Sequence, residues 1–252
     1  MHGNEVLVSI ITPAFNCKNT IRFTYDSILK QTFTNWEWII VEDHSLDNSF
    51  NFIRDMVKDN PKVLLLRTDK NSGTARARNK GIEEANGRFI TFLDADDFWK
   101  QNKFECQINF MINNNLVFTY SNYEVMRDDG KTSLFRPKKQ SLRYKDLLVS
   151  NDIGCLTAAY DAKIIGKHYM PLDSPKREDF AAWLDILKTG IIARRIDETL
   201  AVYRLGNTTL TSNKTKMVKY HYNVYRKHEH FGILKSIFYL CSFVLRKLFT
   251  KY

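Results

Sequence analysis

Four short apolar runs separated by amphipathic stretches occupy the first hundred residues, and this alternation constrains the fold more than any other feature. Val6–Thr12, Trp36–Val41, Val63–Arg67 and Phe89–Leu93 are brief and rich in Val, Ile and Leu, the pattern of strands buried on both faces. Between them, Thr20–Gln31, Asp47–Lys58 and Thr74–Ala85 place apolar residues at helical spacing. Pro13 is expected to stop the first strand and Gly87 to end the third helix. Strand and helix in alternation imply an α/β fold whose mostly parallel sheet is covered by helices on both faces. Ligands of such sheets collect at the carboxyl ends of the strands, so the polar residues after each strand are the candidates for chemistry.

Beyond Lys103 the alternation loosens. A helix is expected to Ile112, a strand over Val117–Val125, a turn-rich loop over Asp128–Lys139 and a helix near Leu142–Val149. The apolar stretch Ile153–Tyr160, a helix over Asp179–Lys188 and extended chain over Ile191–Tyr203 follow. This divides residues 1–205 into a nucleotide-binding half (1–100) and an acceptor half (101–205), with a helical tail at 206–252. At 252 residues and 44% hydrophobic content the chain can bury a large core. Its 10 Gly and 5 Pro exclude low-complexity or collagen-like structure.

The net charge of +10 is concentrated in the tail, where ten Lys/Arg and one acid follow Leu200. That asymmetry points to an anionic partner near the C-terminus. Cys17, Cys106, Cys155 and Cys241 lie far apart without His at ligand spacing, which disfavours a zinc site or disulfide framework and fits a reducing cytosol. No signal peptide is read at the N-terminus, and the longest apolar stretch, near Ile237–Leu245, falls well short of the ~20 residues of a bilayer span.

Phe92-Leu93-Asp94-Ala95-Asp96-Asp97 is the strongest local signal. If the strand continues, Asp94 and Asp96 point to one side. Two close carboxylates repel one another unless a cation lies between them, and a hard divalent ion, Mg²⁺ or Mn²⁺, suits that role. The plainer alternative is that these acids cap a helix starting near Phe98, a reading that suits Asp97 best. Val41-Glu42-Asp43-His44-Ser45 places a second acidic pair at the same edge, for base or ribose hydrogen bonds or, alternatively, for helix capping by Ser45 or Asp47. Phe15, after Pro13, offers a ring for a flat base or simply a core residue.

Taken in order, Val8-Ser9-Ile10-Ile11-Thr12-Pro13-Ala14-Phe15-Asn16, Val41-Glu42-Asp43-His44-Ser45 and Gly73-Thr74-Ala75-Arg76-Ala77-Arg78-Asn79-Lys80-Gly81 resemble the family 2 glycosyltransferases of the GT-A fold. Asp94-Ala95-Asp96 is similar to that family's metal-binding Asp-x-Asp, and Glu178-Asp179 to its catalytic helix start. The resemblance implies inverting transfer from a nucleotide-sugar, most often a UDP-sugar. It assigns Pro13, Phe15 and Asp43 to the base, Asp94 to the ribose side of the metal site and Asp96 to the metal. Arg78 would add positive potential beside the phosphates, unless it is an ordinary surface arginine. Inversion needs a base for the acceptor hydroxyl; Asp179 is the first choice and Glu178 the second. Trp183, one turn on, would line the acceptor site or fill the core. The chain departs from the family at Gly206, where a His ligand is often found, and at Glu42, where Asp is usual.

In the tail, basic residues Lys214, Lys216, Lys219, Arg226 and Lys227 interleave with Tyr220, Tyr222 and Tyr225, a composition that also suits nucleic acid. The next segment argues against that partner. Lys235, Tyr239, Ser242 and Arg246 form one polar stripe on a helix whose wide remainder, from Ile233 to Phe249, is apolar. Such a helix suits an anionic bilayer surface, or else docks on protein. With the resemblance, this implies an enzyme at the cytoplasmic face of a bacterial inner membrane that extends a saccharide or lipid-linked saccharide of capsule or lipopolysaccharide. The alternatives are a non-catalytic nucleotide-sugar- or membrane-binding subunit, which needs no base, and a nucleotidyltransferase, whose Gly-rich phosphate loop and Lys are missing at the N-terminus.

Overall fold

β1 (Val8–Ala14) is the central strand of the first half in the computed structural model, which describes residues 7–205 and 214–248. It pairs in parallel with β2 (Trp36–Glu42) on one side and β4 (Phe89–Phe92) on the other, and β3 (Val63–Arg67) extends the sheet beyond β2. The crossovers are α1 (Ile21–Leu29), α2 (Ser49–Val57) and α3 (Thr74–Glu84), close to the bounds that periodicity predicts. Pro13 does not stop β1: it lies within the strand, opposite Val41. Its missing N–H costs nothing, because it faces the β4 side, where the ladder has already ended at Ile11–Phe92.

The second half is mixed rather than mostly parallel. It contains β5 (Phe98–Trp99), α4 (Lys103–Asn113), β6 (Phe118–Arg127), β7 (Thr132–Phe135), β8 (Ser141–Leu142) and α5 (Tyr144–Leu148). Then come β9 (Ala159–Asp161), α6 (Ala162–Ile165), α7 (Glu178–Lys188), β10 (Ala193–Leu205), α8 (Lys214–Asn223) and α9 (Ile233–Leu248). The sheet runs β3-β2-β1-β4-β9-β6-β10-β5, with β7 beside β6 and β8 beside β10. Two expectations fail here. No helix begins at Phe98; the two-residue β5 pairs antiparallel with Ala201 and Val202 of β10, a distant partner that local pattern does not reveal. The stretch Asp128–Lys139 is not all loop, because β7 forms a hairpin with β6 through a turn at Gly130, whose φ is 77°.

Alternation in β1 sends Val8 and Ile10 to one face of the sheet and Ile11 to the other. The first face packs α1 and α4 residues such as Ile21, Ile28, Phe104 and Ile108; the second packs Ala77 and Ile82 of α3 and much of α7. Gly81 is required by this second contact, since a Cβ there would stand 2.7 Å from Ile11 Cγ2. Val224 and Tyr225, from the tail, belong to the same core as α7. No helix among the described residues is long and apolar enough to cross a membrane.

Candidate active site

The carboxyl ends of β1, β2 and β4 share one edge, and their loops are laced to each other. Asn16 N–H donates to Ser45 Oγ (2.9 Å), Lys18 N–H to Asp47 (3.1 Å) and Leu46 N–H to Asn16 Oδ1 (3.0 Å). Asn16 and His44 take left-handed φ values of 49° and 59° to make these turns. Pro13 is half-buried there, while Phe15 and Leu46 present exposed apolar surface above the edge.

Asp43 is buried and fully engaged. It accepts from Ser72 N–H (2.9 Å), Ser72 Oγ (2.6 Å), Thr68 Oγ1 (2.8 Å) and Gly73 N–H (2.7 Å). Burial opposes its charge, yet these donors hold its carboxyl below the usual range. Gly73, at φ 87°, supplies the backbone turn that opens α3. Glu42 is also buried, accepting from Ser45 N–H and pairing with Arg67 at 3.0 Å. In place of helix capping by Ser45, Asp47 caps the approach to α2 by accepting from Ser49 N–H at 3.0 Å.

The Asp94–Asp97 segment is a turn rather than a continued strand, closed by Asp97 N–H to Asp94 O at 3.1 Å. Asp94 and Asp96 still lie close: burial first, then the Asp94 carboxylate, push Asp96 up to about 6. Asp96 forms no ion pair among the described residues. Two neighbouring hard-oxygen donors that repel one another fit a divalent cation such as Mg²⁺ or Mn²⁺. Asp97 is no helix cap. It is buried, accepts from Arg204 N–H at 2.9 Å, and its backbone oxygen accepts from Thr24 Oγ1 at 2.8 Å, tying β10 and α1 to the turn.

Arg78 is buried, not a surface arginine. Its Nη2 meets Asp94 at 2.6 Å and its Nη1 meets Glu178 at 3.1 Å, so one guanidinium joins the β4 turn to the start of α7. Glu178 is buried and, despite Arg78, burial pushes its carboxyl above the usual range. Asp179 is half-buried, and its Oδ1 accepts from Phe180 N–H at 2.7 Å. Asp94, Glu178 and Asp179 all act electrostatically on Arg78 and on the buried Cys155 thiol, so the structure brings them together. Trp183 does not line the acceptor side: it is fully buried against Phe92 and Phe118 at centroid distances of 5.6 and 5.2 Å.

Arg204 lies beside Asp96 and Asp97, a position that the sequence pattern did not single out. Its guanidinium lies 5.1 Å from the Phe23 ring, acts on both Asp96 and Asp97, and has a buried Nη1 without a hydrogen-bond partner among the described residues. No local pattern marks Arg204, because its link to the β4 turn runs through Asp97, 107 residues away. Gly206, and the apolar positions Leu248 and Phe249, fall where no side chain is described.

Residues 9–166 match the family model for glycosyl transferase family 2. A Bacillus subtilis (strain 168) protein named for teichuronic acid biosynthesis, the glycosyltransferase TuaG, is 39% identical over 231 residues, 91% of each chain. UDP-Glc:alpha-D-GlcNAc-diphosphoundecaprenol beta-1,3-glucosyltransferase WfgD of Escherichia coli is 35% identical, covering 96% of this chain and 94% of its own. Among solved structures, S. aureus TarS 1-349 in complex with UDP aligns at TM-score 0.69 and 15% identity over 97% of this chain and 72% of TarS. The mannosyltransferase PcManGT from Pyrobaculum calidifontis, in complex with GDP-Man and Mn2+, aligns at TM-score 0.68 and 17% identity over 92% of this chain and 69% of its own. With its GT-A fold and its carboxylates gathered at one sheet edge, the chain belongs to glycosyl transferase family 2.

Proposed function

We propose that this glycosyltransferase moves a sugar, with inversion, from a UDP-sugar to a lipid-linked saccharide during surface polysaccharide synthesis. One observation carries this reading: Arg78 binds both Asp94 and Glu178, which sets the donor carboxylates beside the base helix, while Asp179 forms no ion pair among the described residues. Asp179 takes the acceptor hydroxyl proton as that oxygen attacks the anomeric carbon. Glu178, spent on Arg78, orients rather than abstracts. Asp96, with Asp94, would hold Mn²⁺ or Mg²⁺, which when bound supplies charge stabilisation for the leaving diphosphate. Arg204 adds a cation on the same side. Phe15, Pro13 and the Asp43-anchored loop face the base. WfgD's named donor and acceptor make UDP-glucose and GlcNAc-diphosphoundecaprenol the first pair to assay. Release of UDP with glucose transfer, lost in Asp96→Asn and in Asp179→Asn while the fold persists, is the expected result. Full transfer by Asp179→Asn refutes the mechanism.

The tail places the enzyme on an anionic membrane surface. On α9, Ile233, Leu234, Ile237, Phe238 and Leu245 are 45–85% exposed. The opposite side, Ser236 and Phe243, is buried, Tyr239 packs on Tyr225, and Arg246 pairs with Asp152 at 3.0 Å. The polar stripe thus turns inward in part, and the apolar face outward, as interfacial binding requires. Because α9 contributes to the core, point substitution is a cleaner probe than truncation. Leu234→Asp with Phe238→Asp should abolish sedimentation with phosphatidylglycerol vesicles; unchanged binding excludes the membrane role.

A further inference from the structure

Phe180, the residue after Asp179, is fully buried and stacks on His221 of α8 at a centroid distance of 4.4 Å. His221 stacks in turn on Phe243 of α9, at 3.8 Å and an interplanar angle of 16°. Three flat rings therefore run from the first turn of the base helix into the tail. Tyr225 closes the stack edge-on to both Phe180 and His221. Its hydroxyl donates to Leu148 O, at the end of α5. One hydroxyl has one proton, so the 2.9 Å contact between Tyr225 Oη and His221 Nε2 is donated by the imidazole, which fixes its tautomer and ring plane.

The far end of α7 is held by the same segment. His228 bridges Asp185 at 3.0 Å and Asp173 at 3.2 Å, and Lys188 joins Asp185 (3.1 Å) to Glu229 (2.8 Å). Lys188 lies between the Asp185 and Glu229 carboxylates, so this second cluster clamps α7 to the tail. α7 is thus pinned by Arg78 from the donor side and by residues 221–229 from the tail.

We infer that His221 is a positioning residue for sugar transfer: stacked between Phe180 and Phe243, it fixes the first turn of α7 and with it the Asp179 carboxylate. The inference rests on Asp179 serving as the base. It predicts a specific loss, because displacement of a reacting group by about 1 Å costs on the order of 10²-fold in rate, while donor binding, built on the loops after β1, β2 and β4, is unaffected.

Full-length His221→Ala, His221→Phe and Phe243→Ala are compared with wild type in three measurements. These are transfer from UDP-glucose to GlcNAc-diphosphoundecaprenol, UDP affinity by calorimetry, and amide exchange across residues 178–188. His221→Ala should lose about 10²-fold in kcat at unchanged UDP affinity, with faster exchange in the first turn of α7. His221→Phe, which keeps a flat ring in the stack, should restore both, and Phe243→Ala should resemble His221→Ala. A merely structural histidine would lower the melting temperature and leave the kcat of folded enzyme untouched. Wild-type kcat in folded His221→Ala, or unchanged α7 exchange, overturns the inference. Asp179→Asn in the same series separates the two levels. If it still transfers sugar, or if wild type does not use this substrate pair, the proposed function is at fault, and α7 exchange alone then decides the role of His221.

Discussion

On the donor edge, Asp43 takes its hydrogen bonds from Thr68, Ser72 and Gly73, all within about thirty residues of it, and much of the holding is done by backbone N–H groups. On α7, Glu178 depends on Arg78, a hundred residues away, and Phe180 on rings from the tail. The loops at the strand ends and the start of α7 are therefore stabilised differently. The backbone donors come from the β3–α3 loop, the next βα unit along the chain, and main-chain N–H groups are supplied there whatever the side chains are. A side-chain partner from a distant element exists only after that element has docked, so the base side is the more sensitive to single substitutions.

Arg78→Met should have the largest effect. Removing one member of a buried, paired set typically costs about 3–5 kcal/mol, and here it strands Glu178 and frees Asp94 together. Denaturant unfolding should show a midpoint far below wild type, and transfer should vanish; a near-wild-type midpoint would mean the bridge is not the link between the two sides. Arg204→Ala should spare the fold and weaken UDP binding by about 1.5–3 kcal/mol, the range of hydrogen bonds to charged groups. Titration calorimetry reads this directly, and unaltered affinity removes Arg204 from the diphosphate.

Asp43→Asn should cost about 1–2 kcal/mol, less than Arg78→Met because the loop keeps its other bonds. The sign with pH follows from its lowered folded value. The Asp43 contribution is complete above the ordinary value of 3.8 and is lost as pH falls through the lower folded value. Acid unfolding should therefore begin at higher pH in Asp43→Asn, while amide exchange in α7 stays unchanged. Loosening of α7 in this variant would show that the two sides are not separately held.

The smallest effect is expected away from the cleft. Lys103 is fully buried between Trp99 and Gln107, and burial pulls it down to about 7. The unfolded chain holds that proton up to about 10.5, so stability should rise with pH between about 7 and 10.5, with the penalty complete below 7. Lys103→Met should flatten this part of the melting profile and raise stability by about 1 kcal/mol at pH 6. An unchanged slope would place the proton elsewhere.

Much of the donor edge was legible in the sequence. The four apolar runs became β1 to β4 within a residue or two of their expected ends, because short Val/Ile/Leu-rich runs mark strands by composition, even for β3, which lies at the sheet's end and is only half-buried. Motifs singled out Asp43, Asp94, Asp96 and Arg78 as candidates, the resemblance singled out Glu178-Asp179, and the structure joins Asp94 to Glu178 through Arg78. Long-range pairing hid the rest. Phe98 looked helical until β10 supplied a partner, and Asp97 looked like a cap until Arg204 N–H reached it. Trp183 was ambiguous because an aromatic at helical spacing serves a core or a cleft equally well.

What the sequence determined by itself was local: which segments are strands, which edge carries the acids, and the family whose motifs stand in that order. Only the tertiary structure decided which acids are paired with neighbours, and which face of α9 turns outward. The reason is physical. Periodicity and turn chemistry are set within a few residues, whereas the charge state and freedom of a carboxylate depend on burial and on partners that folding brings from the far end of the chain.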